Sequence, residues 1–231
     1  MHRFAIACLI CLIAAQPVLA GAWLREKGDG FVAFSSTIRK MPPPEGYESK
    51  LYTDYEFSLY ADYGLTSWVT AGIDAHETMG NGGHALLFLR LPVLASKTRT
   101  KLAIELGAGG YHRHQRNIWQ PMYRLALSVG YGFTSPVGPG WMAADTTVEY
   151  RQGQAALLYK FDATIGLSSP DHIRPMLQLE TAIAENLPFQ WKVTPSLLIP
   201  GKGKSTWVIG IEQRSYGVAR TGLKLALWRR F

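Results

Sequence analysis

The chain has 231 residues, a formal net charge of +7 and a hydrophobic content of 47%. Its two cysteines, Cys8 and Cys11, both lie in the first twenty residues, which excludes a disulfide framework or a thiolate metal site in the rest of the chain. A basic balance suits nucleic acid, but an exported chain rarely meets any, so the export signal described next predicts no nucleic-acid partner.

The first twenty residues have the pattern of a secretory signal peptide. Arg3 precedes an apolar run at residues 5–15, which is too short to span a bilayer comfortably, and small or moderate residues follow at 18–20. We therefore predict that residues 1–20 are removed and that residues 21–231 form the mature protein. An uncleaved N-terminal membrane anchor is the alternative.

The rest of the chain alternates apolar and polar residues, which is the pattern of a β-strand with two unlike faces. In YEFSLYADYG, for example, Tyr55, Phe57 and Leu59 share one face, whereas Glu56 and Ser58 share the other. The pattern recurs in twelve segments, at residues 30–40, 52–63, 67–78, 83–92, 100–111, 121–133, 141–151, 155–167, 173–184, 189–199, 205–215 and 218–231. Turn-forming residues separate most of these segments.

Twelve such segments predict an all-β fold, an antiparallel up-and-down transmembrane β-barrel with twelve strands. The segments are close to the roughly 9–11 residues that a tilted strand needs to cross a bilayer, and the connections are too short for a folded plug. A soluble β-sandwich or lipocalin-like barrel would alternate as well and is the alternative. Amphipathic rings at segment ends are typical of interfacial girdles, and the candidates are Tyr52, Tyr63, Trp68, Tyr111, Trp119, Tyr131, Trp141, Tyr150, Trp191, Trp207 and Trp228.

The polar face of the strands carries acids and bases in similar numbers. Because charges withdrawn from water persist mainly as pairs, we expect them to cross-link the inside of the barrel. The predicted lumen-lining residues are Asp54, Glu56, Asp62, Asp74, Arg90, Glu105, Arg124, Asp145, Glu149, Arg151, Lys160, Asp162, Glu180, Lys192, Glu212, Arg214 and Lys224. Further bases with inward parity are Arg39, Lys101, Arg174 and Arg220. Glycines that should leave local gaps in a narrow wet path are Gly107, Gly109, Gly130, Gly132 and Gly166.

Histidines are the remaining candidates for chemistry. His112 and His114 have the spacing of a metal pair on one strand face, but that face is the outward one and no acid is expected beside them. We therefore predict no metal site and no cofactor. His76 with Asp74 is the only cluster that could serve a hydrolase, and no nucleophile motif accompanies it. No catalytic residue is assigned, and the sequence favours a role other than an enzyme.

The C-terminal residues, ending in GLKLALWRRF, resemble the terminal β-signal of bacterial outer-membrane β-barrel proteins. In that family a polar residue, a glycine and alternating hydrophobic residues lead to a final aromatic, and the matching positions are Arg220, Gly222, Leu225, Leu227 and Phe231. Arg229 departs from the pattern, which usually has a hydrophobic residue there. The resemblance implies recognition by the barrel-assembly machinery and closure of the last strand against the first. It identifies no subfamily.

These features together predict a bacterial outer-membrane barrel with both termini in the periplasm, acting as a narrow passive channel for small solutes or ions with weak selectivity. A closed structural or lipid-organising barrel and a barrel-embedded hydrolase acting on outer-membrane lipid are the alternatives. Outer-membrane lipid and lipopolysaccharide are the expected neighbours, the latter through the basic aromatic loop at residues 111–120. The solute itself stays unassigned.

Overall fold

The computed structural model describes residues 22–42, 52–79, 82–93, 99–113, 118–169, 171–185 and 187–231. They form twelve strands: β1 (Gly30–Met41), β2 (Tyr52–Gly64), β3 (Thr70–Thr78), β4 (Gly82–Pro92), β5 (Thr100–His112), β6 (Gln120–Ser135), β7 (Gly138–Arg151), β8 (Leu158–Leu167), β9 (Arg174–Ala184), β10 (Gln190–Pro200), β11 (Ser205–Arg214) and β12 (Thr221–Arg230). The predicted signal peptide lies outside the described residues. In these ranges no helix is long and apolar enough to cross a membrane.

The strands form one closed antiparallel barrel in which each strand pairs with its neighbours in sequence and β12 pairs with β1. The predicted all-β, twelve-stranded antiparallel barrel is therefore confirmed. Closure extends to the last residue, because the amide of Phe231 donates to the carbonyl of Gly30 and the amide of Gly30 donates back to the carbonyl of Phe231, at 3.0 and 2.9 Å. A closed barrel has no unpaired strand edge.

The two faces of the barrel wall differ as the alternation predicts. On the outward face large apolar side chains are exposed, with Phe57 39%, Leu87 68% and Leu223 58% exposed. On the inward face charged side chains such as Arg39 and Glu212 are buried. An apolar exterior around a charged interior is the arrangement of a membrane-spanning barrel and the reverse of a soluble one.

Some strand boundaries differ from those predicted, because local turn chemistry sets them. β3 begins three residues late, since residues 65–69 form a turn in which the Thr66 hydroxyl accepts from the amides of Trp68 and Val69. β7 begins three residues early, since Gly138 has a φ of +122° and completes a tight turn directly after β6. Left-handed backbone of this kind is easily adopted only by glycine.

The lumen is filled by apolar side chains at the end of the barrel where β1 begins and β12 ends, which we call the terminal end. The buried cluster there comprises Ala22, Trp23, Trp141, Ala143, Met176, Leu198, Val208 and Ala226, with Trp228 packed against it. One expectation is thereby wrong, because Trp141 and Trp228 face inward instead of joining a membrane girdle. Ala22 and Trp23 of the cluster come from residues 22–28, which precede β1 and which we call the N-terminal strap.

Candidate functional site

The candidate site is a cavity of about 700 Å³ in the half of the lumen opposite the terminal end, which we call the vestibule. It lies towards the other end of the barrel, the loop end, where β1 leads towards β2 and β3 towards β4. Charged side chains in its walls include Glu56, Lys160, Asp162, Glu180, Lys192 and Lys224. The vestibule therefore offers a polar compartment large enough for a small solute.

A first ionic cluster centres on Arg39, which is fully buried on β1. Its guanidinium reaches Glu56 at 2.5 Å, Glu212 at 2.7 Å and Asp54 at 3.4 Å. Arg214 of β11 completes the cluster by donating to Asp54 at 2.7 Å. Because β11, β12, β1 and β2 are consecutive around the ring, inward parity and the register across the β1–β12 seam together bring these five groups into contact. The cluster fixes side chains that would otherwise be buried, uncompensated charges.

A second cluster runs across β2 to β6 as a chain of alternating charges. Arg90 reaches Glu105 at 2.6 Å and Asp62 at 3.5 Å. Arg124 reaches the other oxygen of Glu105 at 2.8 Å and also contacts Asp74. Each acid thus has at least one base beside it, and the charges of this wall nearly cancel.

On β7 and β8 two cations share one buried carboxylate, that of Glu149. Glu149 is fully buried and accepts from Arg151 at 2.7 Å and from Lys160 at 2.6 Å. One carboxylate therefore holds two cations. Neutralising Glu149 would leave both cations unpaired beside the vestibule.

Carboxylates lie side by side across β7, β8 and β9. Asp145 is the Cα partner of Asp162, which is in turn the Cα partner of Glu180. Lys192 of β10 reaches Glu180 at 2.7 Å. The Lys224 ammonium of β12 donates to the amide oxygen of Gln178 on β9 at 3.0 Å. The vestibule therefore presents acids and bases together rather than a field of one sign.

The structure places all the residues predicted to line the lumen on the inward side of the wall, and the clusters above join most of them. Their role along a conducting path stays a prediction. Among the additional bases, Arg39 lies at the centre of a cluster, whereas Arg220 is exposed in the connection before β12 and does not line the lumen. Of the predicted glycine gaps, Gly130 is occupied by the Trp23 ring and Gly166 by the Trp141 ring.

The histidines differ from expectation in their partners. His112 faces outward as predicted, but an acid does lie beside it, since its Nε2 is 2.8 Å from the carboxylate of Glu77. The centre of its ring is also 4.7 Å from that of Trp119. Residues 114–117 of the predicted lipopolysaccharide loop, His114 included, lie outside the described residues. In the described part of the chain no group of three His, Cys, Asp or Glu side chains is placed to hold a metal ion.

The Asp74–His76 pair considered for a hydrolase is not formed. Asp74 contacts Arg124 and lies 3.6 Å from His84. The His76 ring instead stacks on His84 and its Nε2 is 2.9 Å from the hydroxyl of Thr78. The carboxylate nearest to His76, that of Glu56, is 3.9 Å away and is already bound by Arg39. The histidine therefore lacks the orienting carboxylate that a general base needs.

Sequence reasoning missed the strap. Its residues follow no strand period, so no pattern predicted that Trp23 lies inside the barrel. A signal did exist for Trp141, because positions 141, 143 and 145 share the parity that placed Asp145 in the lumen. Parity along a strand thus predicts which face a side chain occupies, whereas it predicts nothing about the position of a segment outside the strands.

No protein-family model and no curated protein matches the sequence. Similar solved structures include the KdgM porin, with a TM-score of 0.60 and 8% identity over 87% of this chain and 99% of the porin. The KdgM porin in complex with disordered oligogalacturonate has a TM-score of 0.59 and 8% identity over 87% of this chain and 99% of the porin. The β domain of the Bordetella autotransporter Brka has a TM-score of 0.47 and 12% identity over 88% of this chain and 98% of that domain. At such identities the likeness concerns the fold, and the chain has the fold of the bacterial outer-membrane β-barrels.

Proposed function

We propose that the protein is an outer-membrane channel for small hydrophilic solutes or ions, with weak selectivity and with both termini in the periplasm. The observation that carries the proposal is the vestibule, a polar cavity of about 700 Å³ walled by ionised side chains inside an apolar-coated barrel. In the proposed orientation the vestibule faces the outside of the cell, so a solute would meet the charged walls before it reaches the terminal end.

The balance of charges supports weak selectivity. A pore selects by the sign of the field along its walls, and opposed charges at close range cancel most of that field. Here Arg39, Arg90 and Arg124 each lie against two or more carboxylates. One similar structure is a porin complex with oligogalacturonate, a polyanion. Walls in which acids and bases are paired suit the passage of small solutes of either charge better than the passage of a polyanion.

A closed barrel is the second candidate, and one observation favours it. The apolar cluster at the terminal end leaves Trp141 and Val208 with no exposed surface, which favours a lumen that is sealed at that level. A permanently closed barrel would bind a solute in the vestibule without passing it on. Conductance separates the two candidates.

The channel is tested by reversal potentials in planar bilayers under a salt gradient. Replacing Glu149 by Gln should raise the anion-to-cation permeability ratio by about two- to fivefold, because Arg151 and Lys160 lose their shared partner. The matched control is Glu77→Gln, which removes a carboxylate from the outward face of β3 near the same end.

An unchanged reversal potential in a folded, conducting Glu149→Gln barrel would show that the solute path avoids this wall. His76→Ala serves as a further control, because a channel should conduct almost as before, whereas a hydrolase that used the His76 imidazole as its base would lose its activity.

A further inference from the structure

We infer that the N-terminal strap is a resident gate: residues 22–28 close the terminal end of the lumen, and solute crosses when the strap leaves its place. The inference rests on the proposed channel function and concerns how that channel is controlled.

The strap crosses the mouth of the barrel from one side to the other. Near β1 its Arg25 contacts Asp62 of β2 and the hydroxyl of Thr70 at the start of β3. At its other end Trp23 lies against Gly130 of β6 and packs in the cluster that includes Trp141 of β7. In a ring of twelve sequential strands, β7 is opposite β1. The strap therefore spans the mouth instead of following its rim.

The wall is shaped to receive the strap. A Cβ added at Gly130 would lie 2.5 Å from the ring of Trp23, so a residue with a side chain at this position would displace the indole. At Gly64 a Cβ would collide with the carbonyl of Glu26. Glycine at both positions permits the close approach of strap and wall. Trp23 is accordingly 9% exposed, whereas Trp68, at the same end but outside the lumen, is 60% exposed.

Besides the packing of Ala22 and Trp23 in the terminal-end cluster, the strap is held by contacts that lie outside the paired residues of the twelve strands. The Arg25 guanidinium donates to Asp62 at 2.6 Å and lies 4.8 Å from the centre of the Phe31 ring. The amide of Gly28 donates to the carbonyl of Gly64 at 3.0 Å. The strap can therefore leave while all twelve strands stay paired. Signal removal after residue 20, as the sequence predicts, would give it a nearby free end.

The position of the strap can be measured without any current. Ala143 lies in the terminal-end cluster and is 7% exposed, so an Ala143→Cys barrel in detergent should react slowly with a polar thiol reagent. Adding Trp23→Ala should speed the reaction by at least about tenfold, since the closed population falls. Adding Trp68→Ala is the matched control and should leave the rate unchanged.

Reaction of the parent barrel without the added cysteine is subtracted, so that any contribution from Cys8 or Cys11 is removed. A heat-shifted band on gels verifies that each variant is folded. Equal labelling rates with Trp23 and with Ala at position 23, in folded barrels, would overturn the gate.

Bilayer recordings of the same variants separate the gate from the channel. Faster labelling together with a higher open probability of Trp23→Ala supports both. Faster labelling without conductance in any variant overturns the channel and leaves the strap as the plug of a closed barrel. Conductance that is the same in the native and Trp23→Ala barrels, with unchanged labelling, overturns the gate and leaves the channel in place.

Discussion

Arg39 is fully buried between the carboxylates of two strands, Asp54 and Glu56 on β2 and Glu212 on β11. A guanidinium has five donors in a planar fork, so it can satisfy several carboxylates at once, which a lysine cannot do in the same geometry. Alternation along β1 predicted the face on which Arg39 lies. It could not predict the partners, because those depend on the register between β1, β2 and the strands at the closing seam.

Removing this guanidinium should cost more than any exposed charge. Arg39→Ala removes the cation that lies closest to Glu56 and Glu212 and leaves them only Lys192 in common, at 3.3 and 3.9 Å. Breaking a buried pair from one side costs about 3–5 kcal/mol of unfolding free energy. Lys40→Ala, at the adjacent outward and exposed position, should change the unfolding free energy by less than about 0.5 kcal/mol. Reversible denaturant unfolding in detergent or lipid measures both values. Similar values for the two variants would contradict the assigned role of the cluster.

At the scale of elements, hydrophobic alternation predicted all twelve strands, and the errors fell at their ends and outside them. β7 begins at Gly138 rather than at Trp141 because a turn with positive φ lets the hairpin continue further than the alternation does. The strap has no periodic pattern, so its insertion depends on the cavity that the closed barrel creates. Strands show a hydrophobic alternation and can be predicted from the sequence, whereas the position of the strap depends on the lumen of the folded barrel and cannot.

The end of β12 is where the resemblance to the outer-membrane β-signal can be tested. Phe231 follows the last strand residue, exchanges two backbone hydrogen bonds with Gly30 and has a side chain that is 57% exposed. Such an exposed ring contributes little to the folded barrel, so deletion of Phe231 should lower the amount of assembled barrel in the outer membrane more than the stability of barrels that do form. Phe231→Tyr, which keeps an aromatic end, is the control.

Immunoblots of outer-membrane fractions, with heat-shifted mobility as the mark of folding, give the amount of barrel, and denaturant unfolding of the purified barrel gives its stability. A deletion variant that reaches native levels in the outer membrane would remove the proposed role of Phe231 as an assembly signal.

At the scale of the whole molecule, the sequence predicts the architecture of the barrel wall, but it predicts only some of the side chains that fill the lumen. A period of two with an even number of long strands allows a closed barrel with an apolar exterior. Whether a twelve-stranded barrel conducts depends on which side chains fill it, because its interior is intermediate between a filled small barrel and a wide pore. Parity predicted the charged face of Asp145 and Glu149, but the closure by Trp23 comes from outside the strands.

The most direct test of the account is planar-bilayer recording of the purified, folded barrel in its native form and as Trp23→Ala. We expect discrete conductance steps with weak ion selectivity in both, and openings that are at least about tenfold more frequent in the variant, because the strap no longer holds its indole in the terminal-end cluster. Current no greater than that of bare lipid in both forms would contradict the account.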